Sequence, residues 1–431
     1  MPMFKNLSEK QNPYFGVLIS YVSKGISFVL SFISIPLLLN NLELSQYSLW
    51  ITLVSIVNWI NLLDLGVGNG LKNTIAKYNH LRDKKECAYY ITGTFQFFSL
   101  ISGFLVILTL IFSKYIPVIK INIGYSFLLY LPIICFFPFT TFNAVLQGNL
   151  KNGLLSIISL VRALWIFFAV LLFKYTSSDK IIICAICYNI FNILYFIFIL
   201  FSIKKIYLFS LSQIFNFKLF VFGLKIVRIG LEYFILQVTS LIQFSMGNYI
   251  IYNLFNNQVA SFDLLNNKIY ANLAIFFNAG IAVFWPQFTS AMASHDAEKL
   301  IKYRSQLLIM LIVYIFGLGI SIPIITPFVG WWTQGKILVN IKDIIPFVLF
   351  NIVLSINYYE AVILNAAEKI NIQILFSLMT SILFITLVSF SKYFLIKSYI
   401  IIPIINTLIL IPSFFIYKIH ADRIVNSFRS E

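Results

Sequence analysis

The sequence is poor in charge, and poorest in negative charge. Only 11% of its 431 residues are charged, against roughly 25% in an ordinary soluble protein. Fifteen acidic residues stand against 31 lysines and arginines. A water-soluble fold of this length needs a polar surface that so few charges cannot provide. The composition therefore excludes a soluble enzyme, a nucleic-acid-binding domain and a disordered chain.

Residues that build catalytic and metal centres are scarce as well. The chain has four cysteines and three histidines, and the histidines are far apart in the sequence, at His80, His295 and His420. No Ser-His-Asp triad and no metal cluster can be assembled from them. We therefore predict a protein without catalytic residues, metal ion or cofactor, which is not an enzyme.

Long apolar runs take the place of these polar features. Hydrophobic residues make up 60% of the chain, and its mean hydropathy is +0.90. A helix that crosses a bilayer core of roughly 30 Å needs about 20 mainly apolar residues. We predict an all-α polytopic membrane protein of about twelve transmembrane helices, in two six-helix bundles around a central cavity. The predicted spans are 13–39, 44–69, 88–113, 123–147, 153–173, 181–203, 219–250, 258–290, 306–330, 337–365, 371–391 and 398–418.

The basic residues are unevenly distributed between the spans. If the N-terminus lies in the cytoplasm, 19 lysines and arginines fall in cytoplasmic segments, 8 fall outside and 4 lie inside spans. This bias predicts that both termini are cytoplasmic. The N-terminal segment lacks the small-residue cleavage pattern of a signal peptide, so we expect the first span to stay in the protein.

A weak internal repeat indicates two similar halves. When the chain is shifted by 218 residues, residues 146–151 fall on 364–369. Repeats of this kind are typical of transporters, whose substrate sites lie near the midplane at the repeat interface. We predict an N-terminal bundle at 1–203, a cytoplasmic linker at 204–218, a C-terminal bundle at 219–418 and a tail at 419–431.

Four cations lie deep inside predicted spans: Lys24, Arg162, Arg228 and Lys268. At 1.5 Å of rise per residue each lies ~15–17 Å from a span end, close to the midplane. Such charges are costly there and usually mark a pathway or a buried pair. Arginine grips phosphate with a planar fork of donors. We predict that these four residues bind an anion such as a lipid-linked diphosphate.

Acidic residues inside the spans allow a second interpretation. Glu232 lies four residues after Arg228, on the same helix face, and a structural pair would neutralise both. Asp263 lies five residues before Lys268, where a regular helix aligns the two less well. Asp64 and Glu360 lie nearer span ends, where interfacial solvation competes with a role in binding a coupling ion. We keep all four acids as candidates for ion coupling or gating.

The end of the second predicted span carries a recognisable run. Residues 63–73 read Leu-Asp-Leu-Gly-Val-Gly-Asn-Gly-Leu-Lys-Asn, and they resemble the signature of Wzx-type O-antigen flippases of the multidrug/oligosaccharidyl-lipid/polysaccharide (MOP) exporter superfamily. Twelve spans, short loops and cytoplasmic termini are also similar to that family. On their own the three glycines only let backbones approach closely or end a helix. The residues of this run that carry the resemblance to the family signature are Asp64, Gly66, Gly68, Asn69, Gly70, Lys72 and Asn73.

The resemblance implies a flippase that moves undecaprenyl-diphosphate-linked oligosaccharide units from the cytoplasmic to the periplasmic leaflet of a bacterial inner membrane. It implies alternating access around a cationic cavity, with H⁺ or Na⁺ as the coupling ion. The implied partners are the lipid-linked substrate, membrane lipids, a polysaccharide polymerase and a chain-length regulator, and no nucleic acid.

Two alternatives to this function stay open. A cation-coupled drug or metabolite exporter of the same superfamily would favour an acidic cavity. A membrane polymerase or ligase of polysaccharide assembly would carry larger outside loops than the short segments near 114–122 and 331–343.

Overall fold

The protein is almost entirely helical. The structure, a computed structural model, describes residues 13–62, 66–80, 82–149, 151–175, 179–207, 211–255, 258–367, 369–391 and 398–430. Helices make up nearly all of these residues, and none of these residues forms a strand.

Most of the helices are long and apolar enough to cross a membrane. Within the described ranges there are ten such helices, or eleven if the bent pair Ile123–Cys135 and Phe137–Gly148 is one span. That pair bends by 52° next to Pro138, which cannot donate a backbone hydrogen bond. The helix Leu44–Leu62 has 19 residues, about 28 Å at 1.5 Å per residue, and occupies the first part of the second predicted span. The prediction of an all-α polytopic membrane protein is confirmed.

The first compact unit comprises Met1–Gln46 and Ile56–Gln237. Residues 47–55, in the middle of its second helix, group with the other unit instead. The helices are α1 (Pro13–Asn41), α2 (Leu44–Leu62), α3 (Val67–His80), α4 (Lys84–Phe112), α5 (Pro117–Ile121), α6 (Ile123–Cys135), α7 (Thr141–Gly148), α8 (Asn152–Leu171), α9 (Lys180–Tyr207) and α10 (Phe220–Ser240).

The second compact unit comprises Tyr47–Ser55 and Val238–Glu431. Its first two long helices are interrupted by π-helical segments, Leu241–Ser245 and Leu264–Tyr270. A π-helix closes its hydrogen bonds over one residue more than an α-helix and often marks a functional site. The helices are α11 (Gly247–Phe255), α12 (Val259–Asp263), α13 (Ala271–Ala293), α14 (Ala297–Trp332), α15 (Ile341–Ala366), α16 (Ile370–Phe390) and α17 (Ile401–Ser430).

The start of α10, which we assigned to the C-terminal bundle, groups with the first unit. Gly93 of α4 and Gly223 of α10 pack backbone to backbone, and a Cβ on either would clash with the other helix. Nearby, the Gln96 side chain donates hydrogen bonds to the carbonyls of Ile214, at 2.7 Å, and Asn216, at 2.9 Å. These contacts fix the segment before α10 against α4.

The second predicted span is shorter than we expected. We predicted it to run to residue 69, but α2 ends at Leu62 and a separate helix, α3, begins at Val67. Between them Gly66 has φ +68°, a left-handed conformation that glycine adopts without strain. The glycine-rich run therefore ends one helix and starts another.

Candidate functional site

The first unit contains a cavity of about 460 Å³. Its walls come from the region of α2 to α4 and from α6 to α9. The lining combines aromatic rings, neutral polar groups and one charged side chain. Its polar and aromatic residues are Phe98, Phe137, Thr140, Asn143, Gln147, Ser159, Arg162, Tyr188, Phe191, Asn192, Tyr195 and Phe196.

Arg162 carries the only formal charge among the described residues that line this cavity. Its guanidinium carbon lies 4.5 Å from the ring centroid of Tyr188 on α9, a cation–π contact. One turn further along α8, the Trp165 indole N–H donates a hydrogen bond to the carbonyl of Cys187 at 2.9 Å. That bond fixes α8 against α9, so the ring lies beneath the guanidinium. A cation–π contact that is partly shielded from water is worth about 1–2 kcal/mol.

Neutral hydrogen-bonding groups lie on two further helix faces of the cavity. Asn143 and Gln147 are four residues apart on α7, and Tyr188, Asn192 and Tyr195 follow one face of α9. The Tyr195 hydroxyl and the Asn143 side-chain oxygen are hydrogen bonded to each other. These five residues were not predicted, because a neutral polar side chain in an apolar span stands out neither by charge nor by hydropathy. Their spacing of three and four residues, which places them on one face, was the available signal.

The glycine-rich run contributes directly to the cavity. Gly68 lies in its lining, together with Arg162. The Gly70 amide donates a hydrogen bond to the Gly66 carbonyl at 3.3 Å, which starts α3. Asp64 lies outside the described residues, as do the side chains of Asn69 and Asn73.

The helix that follows this run packs closely on α7. An ideal Cβ on Gly148 would lie 2.7 Å from the carbonyl oxygen of Lys72 and 2.9 Å from Cβ of Ile75. The glycine therefore lets α7 approach the backbone of α3, and Lys72 itself is half-buried.

The other predicted cations of the first unit do not join Arg162 at the cavity. Lys24 is exposed on α1 and Arg228 is exposed on α10, and neither lines the cavity among the described residues. The Glu232 side chain lies outside the described part of the chain, so its pairing with Arg228 stays a prediction.

In the second unit, Asp263 is buried, with 3% of its surface exposed, and Lys268 is half-buried. No ion pair joins these two described residues. Instead the Asp263 Oδ1 atom accepts hydrogen bonds from the side chains of Asn248, at 2.8 Å, and Asn267, at 2.7 Å.

Glu360, for which we weighed interfacial solvation against a role in binding a coupling ion, is buried and paired with an arginine. It is 3% exposed, and its Oε2 atom lies 3.3 Å from the Arg304 guanidinium. The same guanidinium contacts Asp422 at 2.5 Å. Arg304 on α14 thus joins a carboxylate of α15 to one of α17, an arrangement that fixes helices together. Asp422 and Arg304 were not among the predicted site residues.

Metal-ligating side chains do not gather anywhere in the described ranges: no group of three or more His, Cys, Asp or Glu residues is placed to hold a metal ion.

The chain has the fold of the MOP superfamily transporters and is a multi-pass membrane protein. No family model matches the sequence, and no curated protein sequence matches it. Solved structures do match it over nearly its whole length.

Among the particular structures that match are transporters and a flippase. The lipid II flippase MurJ, in an inward closed conformation, has a TM-score of 0.71 at 16% identity, covering 95% of this chain and 90% of its own. A multidrug resistance MATE family transporter, inward-facing, has a TM-score of 0.68 at 14% identity, covering 94% and 95%. A MOP superfamily transporter from Pyrococcus furiosus has a TM-score of 0.57 at 12% identity, covering 96% and 94%. At these identities the likeness concerns the fold.

Proposed function

We propose that the protein is a flippase for lipid-linked oligosaccharides, which moves undecaprenyl-diphosphate-linked repeat units of an O-antigen or similar polysaccharide across a bacterial inner membrane. The observation that carries this proposal is the cavity of the first unit, whose only formal charge among the described lining residues is the positive charge of Arg162.

The chemistry of the cavity suits the head of such a substrate. A guanidinium holds a phosphate through charge-assisted, two-point hydrogen bonds. The amides of Asn143, Gln147 and Asn192 can donate to and accept from sugar hydroxyls. The volume of about 460 Å³ falls in the range of small-ligand pockets, about 300–1,000 Å³. One site thus offers a cation for the diphosphate and neutral polar groups for the sugars.

The sign of the charge argues against the exporter alternative. A site for organic cations would be expected to present a carboxylate, and no described residue that lines this cavity is acidic. Among the similar structures, the one from Pyrococcus furiosus is described as having a binding pocket of reversed polarity that suggests a different function. Another is a lipid II flippase. The first description supports a link between pocket polarity and function in this fold.

The other elements of the proposal rest on the sequence. Transport would proceed by alternating access coupled to H⁺ or Na⁺, with both termini in the cytoplasm and a polysaccharide polymerase and chain-length regulator acting next. Lys24, Arg228 and Lys268 would contribute positive charge along the substrate's path. The pair Arg228 and Glu232 offers a direct test of that role.

In the test, Arg228→Ala is compared with the double change Arg228→Ala and Glu232→Ala. If the two residues only neutralise each other, the single change strands a carboxylate and the double change restores transport. If Arg228 binds substrate, the double variant accumulates normally and stays inactive. Recovery of transport would therefore remove Arg228 from the substrate-binding residues.

The role itself is tested by deleting the gene in a host that has no other flippase. We expect surface polysaccharide to disappear and lipid-linked repeat units to accumulate on the cytoplasmic leaflet, with recovery when the gene is restored. Drug susceptibility is measured in the same strains. Normal polysaccharide in the deletion strain contradicts the proposal, and a change in drug susceptibility alone favours the exporter.

A further inference from the structure

The second unit contains a cavity of about 580 Å³ at one end of its helices. We call it the end cavity, and its lining shares no residue with that of the cavity around Arg162. Helices α13 and α15 end beside it, α16 begins beside it, and the last turns of α17 complete its wall. The lining residues are Thr289, Met292, Ala366, Ala367, Lys369, Arg423, Ile424, Ser427 and Phe428.

The charged side chains of the end cavity are both cations. Lys369 and Arg423 are the only charged residues among its described lining residues, and both are exposed. No ion pair joins either of them to a carboxylate in the described part of the chain. Asp422, next to Arg423 in the sequence, contacts Arg304 instead, and Glu368 lies outside the described residues. The described lining therefore presents two positive charges that it does not balance.

The rest of the wall of the end cavity is mainly apolar. Met292, Ala366 and Ile424 are buried and belong to one hydrophobic core of the second unit, and Phe428 packs against that core. The ring of Phe428 also lies 5.5 Å, between centroids, from the imidazole of His295 in the turn between α13 and α14. The cavity thus combines two cations with a firmly packed apolar surface.

The two hydroxyl groups of the lining already donate hydrogen bonds. Thr289 Oγ1 donates to the carbonyl of Trp285 at 3.2 Å, and Ser427 Oγ donates to the carbonyl of Ile424 at 2.8 Å. Each hydroxyl proton is thus engaged by the backbone of its own helix. Recognition of an anion would therefore rest on the two cations, since a guanidinium holds a phosphate at two points and an ammonium acts as a compact charge.

The length of α17 places the end cavity at the depth of the lipid headgroups. Its 30 residues extend over about 45 Å at 1.5 Å per residue, whereas the hydrocarbon core is roughly 30 Å thick. If α17 enters the core at Ile401, Arg423 and Phe428 lie ~33 Å and ~40 Å along the helix, just beyond the core. The predicted orientation assigns this end of the unit to the cytoplasmic leaflet.

We propose that the end cavity binds an anionic phospholipid of the surrounding membrane. Lys369 and Arg423 hold its phosphate, and the apolar wall receives its glycerol and the first carbons of its acyl chains. Basic sites between helices at the cytoplasmic surface are the kind that retain anionic lipids. A soluble phosphate fits less well, because it would leave the apolar wall uncovered. The proposal does not depend on which substrate the protein transports.

Lipid binding is measured by native mass spectrometry of the purified full-length protein in detergent. The anionic probe is phosphatidylglycerol and the zwitterionic probe is phosphatidylethanolamine, whose ammonium offsets its phosphate. We expect the protein to bind phosphatidylglycerol more tightly. Lys369→Gln and Arg423→Gln should each weaken that binding about five-fold, and the two together about 25-fold. The affinity for phosphatidylethanolamine should change little.

Two further variants separate the end cavity from general surface charge. The double change Lys302→Gln with Lys418→Gln removes the same charge from exposed lysines of α14 and α17 that are not among the described lining residues. It should weaken binding less than about two-fold, because such charges are screened over roughly 8 Å at about 0.15 M salt. Ala367→Phe keeps both cations but fills part of the cavity, and should weaken binding as much as the loss of one cation. Melting curves without added lipid show that each variant is folded.

Several results would overturn the proposal. Equal affinity for the two lipids, equal losses in the cavity and control pairs, or unchanged binding in Ala367→Phe would mean that surface charge alone attracts the lipid. Glycerol 3-phosphate that binds as tightly as phosphatidylglycerol would make the ligand a soluble phosphate. If Arg423→Gln weakens binding of a short-chain isoprenyl diphosphate and not of phosphatidylglycerol, the cavity is a substrate site. Lower melting temperatures with unchanged lipid affinity would mean that the cations only offset the C-terminal ends of α13, α15 and α17.

Discussion

Removal of the ring beneath Arg162 should weaken anion binding by about five- to thirty-fold. The guanidinium carbon lies 4.5 Å from the Tyr188 centroid, and the tyrosine is 8% exposed, so the contact is partly shielded from water. A contact of this kind is worth about 1–2 kcal/mol, and each 1.4 kcal/mol is a tenfold change in affinity. Tyr188→Leu should lose this contribution. Tyr188→Phe keeps the ring face and should bind nearly as well as the unaltered protein.

Substitution of Arg162 itself should have a larger effect than loss of the ring. Each charge-assisted hydrogen bond to a phosphate contributes about 1.5–3 kcal/mol, so loss of a two-point contact lowers affinity by ~10²–10⁴-fold. Arg162→Ala should lose that much. Arg162→Lys should fall between, because the charge remains and the fork geometry is lost.

The measurement is titration calorimetry of purified protein in detergent, with inorganic pyrophosphate and with a short-chain isoprenyl diphosphate. A melting curve for each variant shows whether the packing of α8 on α9 survives, since Leu at position 188 also removes buried ring contacts. Unchanged affinity in Arg162→Ala would mean that this cavity does not bind the anion. Equal losses in Tyr188→Phe and Tyr188→Leu would mean that the ring face does not matter.

Three further predictions follow from packing and topology. Gly148→Ala should lower the unfolding free energy by about 1–3 kcal/mol through overpacking, whereas Gly103→Ala should not, because Gly103 has open space around it. Thermal unfolding in detergent compares the two variants, and equal melting temperatures would contradict the close packing of α7 on α3. Arg304→Ala should destabilise the fold by at most about 3–5 kcal/mol, because it leaves the buried Glu360 without its ion-pair partner. The double change Arg304→Ala with Glu360→Gln should recover much of this stability, and no recovery would mean that loss of the ion pair does not cause the destabilisation. A reporter fused at 294–296, between α13 and α14, should report the cytoplasm, and a periplasmic signal would reverse the predicted orientation.

The fold class could be predicted because hydropathy is averaged over a window of about 20 residues, so that no single residue decides whether a span is predicted. Twenty apolar residues predict a span whatever their order. The helix break at Gly66 could not be located in this way, because it depends on the conformation of one residue, φ +68°. The assignment of α10 likewise depends on the contact between Gly93 and Gly223, which no local pattern reveals.

The candidate site was only partly predictable. Arg162 and Gly68 were both singled out, one by its depth in a span and the other by the glycine-rich run, and they line one cavity. Whether Arg162 binds a diphosphate stays a prediction. Asn143, Gln147 and Asn192 were missed because a neutral amide in an apolar span has little effect on hydropathy or charge. The depth of a residue in a span also does not show which side of the helix carries its side chain. The sequence alone therefore could not show that Arg162 lines the cavity whereas Lys24 and Arg228 do not.

The two π-helical segments of the second unit determine where this chain tolerates a change in length. Removal of one residue from an ordinary α-helix rotates every later side chain by roughly 100° about the axis. A π-helical turn already contains one residue more than the α-helical turn it replaces, so a deletion within Leu241–Ser245 or Leu264–Tyr270 would restore α-helical geometry and leave the later faces in place. In an alignment of relatives, single-residue gaps within these long helices should therefore fall at the two π-helical segments.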